Sequence, residues 1–471
     1  MKKLIILFFI FVVSFVSCNK FTDLEPFDYI SDQNAMSNLQ NANASLVGAY
    51  GGLRSPLYYG RNFVVWGDAT TDNILVSPAN SNRFLGQAQW SLTPASADLA
   101  DLWNTCYSRL RRINNILTYV DELPDATDAQ KAQIKGEALA LRALVHFDLV
   151  RIFAQTYVGN GATLGVPYVK TVPLPSYQPA RDDVNTVYTN IVADLDEAIA
   201  LLGTPGIPDN RAPYHFSLTG VKALKARVAL TMGDYSLAKT LAEEVIGTTG
   251  LSLLTNANYA AAWSSTTTTE SIFTLSHTNN DYAATNALGY IYLQAGYGDL
   301  RVPATFSSLF DADDVRQCFF TAGTGTATGY TFVHKYPARD GIAGVDNYNM
   351  IRLSEMYLIA AEAAVRITTP DETAARTYLD AIRQRALPSA PAAIETGQDL
   401  IDAILLEKRK ELCYEGHYYF DQKRLQLPIN SAINPATLTP YKTIPYPSLL
   451  LANPIPQREM DANPNMVQNL Y

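Results

Sequence analysis

Histidine and cysteine are scarce: the 471 residues include 5 of the first and 4 of the second. His146, His215, His277, His334 and His417 have no metal-ligand spacing to one another. Cys18, Cys106, Cys318 and Cys413 form no Cys-x-x-Cys pair. With Cys18 set aside, an odd number remains, which argues against a disulfide framework and predicts buried small hydrophobes. Basic residues are in deficit, 36 Lys and Arg against 45 Asp and Glu, for a net charge of -9. That argues against a nucleic-acid partner, which would need a basic face. There is no Gly-x-Ser-x-Gly, no His-Glu-x-x-His, no Walker loop and no dinucleotide fingerprint. Asp311-x-Asp313-Asp314 lacks the following glycine and distal glutamate of an EF-hand and reads as a turn or a helix start. A carboxylate pair for glycoside hydrolysis is set in space rather than in sequence, so no pair is singled out. These motifs single out no catalytic residue, metal or cofactor, and no enzyme activity is expected from them.

Beyond residue 18 no apolar run is long enough to span a membrane. The start of the chain is different. Lys2 and Lys3 precede an apolar run from Leu4 to Val16, followed by Ser17-Cys18. The run is about thirteen residues, short of the ~20 a spanning helix needs, and reads as a secretory signal over 1–17. Cys18 directly after Phe15-Val16-Ser17 looks like a bacterial lipobox, with cleavage before Cys18 and lipid (palmitate) on its thiol. An ordinary signal peptide beside a coincidental cysteine is the other reading. Hydrophobic content of 48% and charge of 17% then predict a globular body over 18–471.

Periodicity predicts a mainly α fold. Trp103, Tyr107, Leu110, Asn114 and Leu117 recur on one helical face. Further helices are predicted over 136–154, 187–202, 218–231, 235–246, 354–366 and 373–385. The last four form two similar pairs, split at Gly233-Asp234 and at Thr369-Pro370-Asp371. Alanines at the crossings let antiparallel helices approach closely, as in degenerate tetratricopeptide (TPR) repeats. Generic α-hairpins are the plainer alternative. Between and around these helices, 50–100, 248–300, 321–350 and 426–456 are loop-rich. The expected architecture is a TPR-like helical scaffold packed against a loop-rich irregular part. Arg352, Glu355, Glu362, Glu407, Arg409, Glu411, Glu415, Asp421 and Arg424 are charges in otherwise apolar helical sequence, and survive burial only when paired. Pro454, Pro456 and Pro464 set an extended tail across the body.

Six motifs in order resemble one family. They are Asp23-Leu-Glu-Pro-Phe-Asp28 behind the lipobox; Asp68-Ala-Thr-Thr-Asp-Asn73; Trp103 through Asn114-Asn115-Ile116; Gly136-Glu-Ala-Leu-Ala-Leu-Arg-Ala143 with Phe147-Asp-Leu; Arg352-Leu-Ser-Glu-Met-Tyr-Leu-Ile-Ala-Ala-Glu-Ala363; and Glu407 to Gly416 with Phe420-Asp421 and Arg424. The ending, Asn453-Pro-Ile-Pro456 with Asn463-Pro-Asn465, fits as well. Together these resemble the SusD/RagB outer-membrane nutrient-binding lipoproteins, with an N-terminal segment of about 18–230 and a C-terminal one of about 270–471. The resemblance implies a lipid-anchored protein on the outer face of the outer membrane. Its partner would be a SusC-like TonB-dependent transporter, to which it delivers oligosaccharide for uptake. It also implies four TPR-like units, and a flexible link over 19–23 that lets the body move as a lid.

Tyrosine is abundant, 28 against 18 Phe and 4 Trp, and aromatic faces stack on sugars. The candidate ligand residues are Trp66, Asp72, Asn73, Trp90, Tyr282, Tyr290 and Tyr297, with Tyr58, Tyr59 and Arg61 behind them. Asp72 and Asn73 could equally cap a turn. Peptide capture of the RagB kind, a TPR-type adapter without a small ligand, and a surface glycosidase are the competing readings.

Overall fold

The computed structural model describes residues 34–173, 176–207 and 211–471. The signal segment, Cys18, the 19–23 link and the Asp23 to Asp28 motif lie outside the described residues. Eleven of the helices are named here: α1 Leu39–Leu53, α2 Asn62–Ala69, α3 Ala97–Tyr119, α4 Asp128–Phe153, α5 Val184–Leu202, α6 Leu218–Met232, α7 Tyr235–Ile246, α8 Leu353–Arg366, α9 Glu372–Ala386, α10 Gly397–Glu411 and α11 Tyr418–Arg424. From α3 to α10 each packs on the next. This is the helical, TPR-like class expected from the sequence.

Local chemistry sets the boundaries. α4 starts two turns before the predicted 136–154 because Thr127 and Gln130 form a reciprocal capping box. α6 ends at Gly233, whose φ of 79° is the left-handed conformation that glycine adopts without penalty. Asp234 and Asp371 then cap α7 and α9 by accepting from Leu237 N and Ala374 N. Ala238, Ala242, Ala360, Ala361, Ala363 and Ala364 are buried at the α7–α8 and α8–α9 contacts, where small side chains bring the helix axes together.

Segment 247–352 leaves the stack after α7 and returns at α8. It carries the strands β2 Ser271–Leu275, β3 Leu300–Val302, β4 Phe320–Ala322, β5 Thr331–Val333 and β6 Tyr348–Arg352; β1, Leu75–Val76, comes from the N-terminal loops. An antiparallel sheet runs β1-β3-β5-β4, with Leu75 opposite Arg301 and Arg301 opposite Phe332. β2 pairs with β6, which runs directly into α8.

A buried ionic network fastens this loop-rich part to the helices. Arg316 holds Asp314 at 2.7 Å and Glu407 at 2.6 Å. Arg352 holds Glu411 at 2.7 Å and Glu415 at 2.8 Å, and Arg385 holds Glu270 at 2.8 Å and Glu411 at 2.6 Å. The remaining charges of the sequence reading are paired too: Glu355 with Arg227, Glu362 and Asp421 with Arg424, and Arg409 with Asp72. Cys106 and Cys413 are buried free thiols and Cys318 is half-buried. The tail crosses the body as expected, with Asn453 N and Asn469 Nδ2 donating to the carbonyls of Ile152 and Phe153 at the end of α4.

Lys423 ties α11 to that same helix end, donating from Nζ to Arg151 O at 2.6 Å and Ala154 O at 2.7 Å. Burial, reinforced by Arg151, lowers its pKa to about 7. The unfolded chain, with an ordinary lysine, therefore binds more protons between about pH 7 and 10, and stability rises with pH across that window by at most about 1.4 kcal/mol per unit. Urea melts at pH 7 and pH 9 should show this rise in the wild type and lose it in Lys423→Met. An unchanged rise in the variant would mean that another group titrates.

Candidate binding face

The loop between α1 and α2 ends at Arg61, which immediately precedes α2. Its Nε donates to Asn62 Oδ1 at 2.9 Å and its Nη1 to Asn286 Oδ1 at 3.1 Å. Phe84 lies under the guanidinium at 5.6 Å. A second loop supplies Arg83, whose Nη1 meets Asp299 at 2.9 Å and whose Cζ stands 3.5 Å from the centre of the Tyr297 ring. Three non-glycine residues here, Asn82, Phe84 and Trp90, have positive φ. Each costs about 1–3 kcal/mol and persists only where surrounding contacts hold it, which aims this loop in one direction.

The third component is the turn 290–297. Tyr297 N donates to Tyr290 O at 2.8 Å, and the two rings meet edge to face at 4.9 Å. Gly296 is obligatory, since a Cβ there would stand 2.2 Å from Tyr290 O. Gln294 clasps Thr324 through both amide ends, at 2.9 and 3.0 Å, and so braces the turn against the neighbouring hairpin. Tyr297 is 36% exposed and Tyr290 half-buried. The result is a face of two tyrosine rings, with the half-exposed Arg83 guanidinium covering one face of Tyr297 and the half-exposed Arg61 guanidinium nearby. Burial lowers the Arg61 pKa, Asp98 opposes that shift, and Arg83 adds to it. Chemically the face offers aromatic stacking together with charged donors for oxygen acceptors.

Of the sequence candidates, Tyr290, Tyr297 and Arg61 come together. Tyr282 is half-buried on the neighbouring loop, near Gly344. The structure places the others elsewhere. Trp66 is 1% exposed, because it sits inside α2 among Phe63, Val64 and Val65, and presents no ring face to a ligand. Trp90 donates from its indole to Thr70 O at 2.9 Å and packs edge-on to Tyr419. These two tryptophans line a crevice of about 20 Å³, together with Asn453, Pro454 and Tyr471, which admits about one water and no sugar ring. Asp72 and Asn73 are engaged by Arg409, at 2.7 and 2.8 Å, and Asn73 also donates to Asp68 at 3.0 Å. They form a structural clasp between the N-terminal loops and α10. Tyr58 and Tyr59 are buried, the first hydrogen-bonded to Asp148. Asp314 is taken by Arg316, and among the described residues no group of three or more His, Cys, Asp or Glu is arranged to hold a metal.

Sequence reasoning missed Arg83, Phe84 and Asn286. The one local signal was an arginine and an aromatic within the polar stretch 80–84.

Comparison with known proteins covers almost the whole described chain. Three family models match: one described as starch-binding and associating with the outer membrane over 27–230, one as Susd and RagB outer membrane lipoprotein over 164–387, and one as SusD family over 320–471. A crystal structure of a candidate sugar-binding protein from Bacteroides vulgatus is 32% identical, with a TM-score of 0.84, covering 92% of this chain and 99% of that one. A SusD superfamily protein from Bacteroides thetaiotaomicron is 27% identical, with a TM-score of 0.85, over 92% and 100% of the two chains. SusD-like protein P38 of Formosa agariphila is 28% identical over 51% of this chain, and the match spans 44% of that protein's length. No helix among the described residues is long and apolar enough to cross a membrane.

Proposed function

Because the chain belongs to the SusD family of glycan-binding, outer-membrane-associated proteins, we propose that it captures oligosaccharide on the Tyr290–Tyr297 face and passes it to a SusC-like TonB-dependent transporter. The observation that carries this reading is the edge-to-face tyrosine pair, braced from behind and flanked by Arg61 and Arg83. Sugar C–H faces stack on such rings while hydroxyls accept from the guanidiniums. Capture and release need no covalent step, so the protein acts as a binder and not as a hydrolase. In the same reading Cys18 carries the lipid that holds the body at the outer face of the membrane, as residues 1–17 leave with the signal.

The test is affinity electrophoresis of the lipid-free protein through gels containing starch, laminarin or acidic polysaccharides. Two aromatic contacts at about 1 kcal/mol each correspond to about a thirty-fold loss of affinity in Tyr290→Ala/Tyr297→Ala. Trp66→Phe, a core substitution, should leave retardation unchanged in the folded fraction. Retardation of the double variant equal to wild type would remove the ligand from this face.

A further inference from the structure

We propose that the glycan taken by this face bears an anionic substituent, a carboxylate or a sulfate ester, that seats on Arg61. The inference rests on the glycan-binding reading above and narrows it to a substrate class.

The argument starts from how cations on this face are neutralised. Arg54 has Asp281 at 2.6 Å and Arg83 has Asp299 at 2.9 Å. Arg61 is different. Both of its hydrogen bonds go to neutral amides, Asn62 and Asn286, and no carboxylate among the described residues pairs with it. It is half-buried; Asp98 offsets part of its charge without pairing with it, and Arg83 adds a like charge. A half-buried guanidinium held by amides alone is an electrostatic cost that an incoming anion relieves.

The amides also fix its orientation. With Nε and Nη1 each engaged, the guanidinium plane is pinned on one edge, and Nη2 has no hydrogen-bond partner among the described residues. A planar fork held in this way recognises a carboxylate or sulfate oxygen with little rotamer entropy left to lose. Arg83 covers one face of Tyr297, so the sugar that carries the anion is received by Tyr290 and by what its edge-to-face contact leaves open of Tyr297. A neutral glycan uses the same rings but leaves the Arg61 guanidinium without a directly paired anion. The chain as a whole is acidic, at -9, so an anionic ligand gains nothing from overall charge and depends on this local cation.

The experiment measures retardation of the lipid-free protein in gels of polygalacturonate (carboxylate), carrageenan (sulfate ester) and laminarin (neutral), at low and at 0.3 M salt. The expected result is binding about ten-fold tighter to one acidic polymer than to laminarin, as expected for one charge-assisted contact. Arg61→Gln should erase that preference, with a loss on the acidic polymer about ten-fold larger than the loss on laminarin. Lys131→Gln, which removes one positive charge on the first turn of α4, should keep the preference. Retention by polygalacturonate alone assigns the carboxylate, and by carrageenan alone the sulfate. Equal affinity for all three polymers, or an equal loss on all three in Arg61→Gln, overturns the anionic substituent and leaves the glycan-binding reading intact. No retardation by any polymer, across a wider panel that includes starch, overturns that reading and this inference with it.

Discussion

Replacing Glu411 by glutamine should destabilise the protein by about 3–5 kcal/mol, enough to bring many domains to the edge of unfolding. The carboxylate is fully buried at the end of α10 and accepts from Arg385 at 2.6 Å, Arg352 at 2.7 Å, Tyr259 at 3.0 Å and Arg316 at 3.3 Å. Burial alone would raise its pKa. Arg385, Arg352, Arg316 and Lys335 outweigh burial and hold it well below the usual carboxylate range. Glutamine keeps the shape but removes the charge, leaving three guanidiniums short of one anion in a dry interior. Alanine removes the acceptors as well and should be worse. Urea melts followed by far-UV circular dichroism check both; a loss under 1 kcal/mol in each would show that Glu270, Glu407 and Glu415 suffice. The pH dependence has a definite sign. Glu411, Glu415, Glu362 and Asp421 all have folded-state pKa values below their ordinary ones. Their stabilisation is therefore complete above about pH 5 and is lost as pH falls through the folded values, below about 4. Acid unfolding of the wild type should begin there, and Glu411→Gln should show a shallower dependence.

Gly67→Ala should cost about 3 kcal/mol or more, at the upper end of overpacking effects. A Cβ on Gly67 would stand 2.4 Å from the carbonyl carbon of Gly416 and 2.5 Å from its Cα. Both are backbone atoms, so no side chain can swing aside. Gly416 in turn has φ +81° and would itself meet Val64. The two glycines let α2 lie directly on the turn between α10 and α11, where Asp68 accepts from Tyr414 N at 3.2 Å and Gly416 N at 3.3 Å. Forcing α2 away breaks those bonds and opens the stacked pair Phe63–Phe420. It also shifts Arg61, at the start of α2, and so should weaken glycan retardation. Gly48→Ala in α1 is the control of opposite sign: nothing lies within 4 Å, and alanine should stabilise by about 0.5–1 kcal/mol. Thermal melts of the two variants moving the same way would refute the account.

The helical scaffold was legible because its signal is local. Leu139, Ala143, Phe147 and Val150 repeat at helical spacing and are buried as that spacing requires. The buried charges were legible for a related reason: a glutamate in Leu-Ile-Ala-Ala-Glu-Ala has nowhere to go but to a partner, and Glu362 meets Arg424. The partner's identity was not, since Arg227 with Glu355 or Arg316 with Glu407 joins distant segments. The face was half legible. Tyr290 and Tyr297 stand in a glycine-bearing loop segment that invites exposure, whereas Trp66 follows Phe63-Val64-Val65, a run that reads equally as core and is core. Arg83 gave no sign, because Asp299, which orients it, is 216 residues away.

Segment 247–352 has a consequence for how such a scaffold is diversified. α7 and α8 touch although this segment separates them. Closing a loop of about a hundred residues costs about 4 kcal/mol of chain entropy, and doubling its length adds only about 0.6 kcal/mol. The α7–α8 joint therefore tolerates insertion and deletion in the excursion almost indifferently, while each added residue reshapes the loops that hold Tyr282, Tyr290 and Tyr297. Ligand preference is free to drift through length changes in this one segment without any compensating change in the helices that carry it.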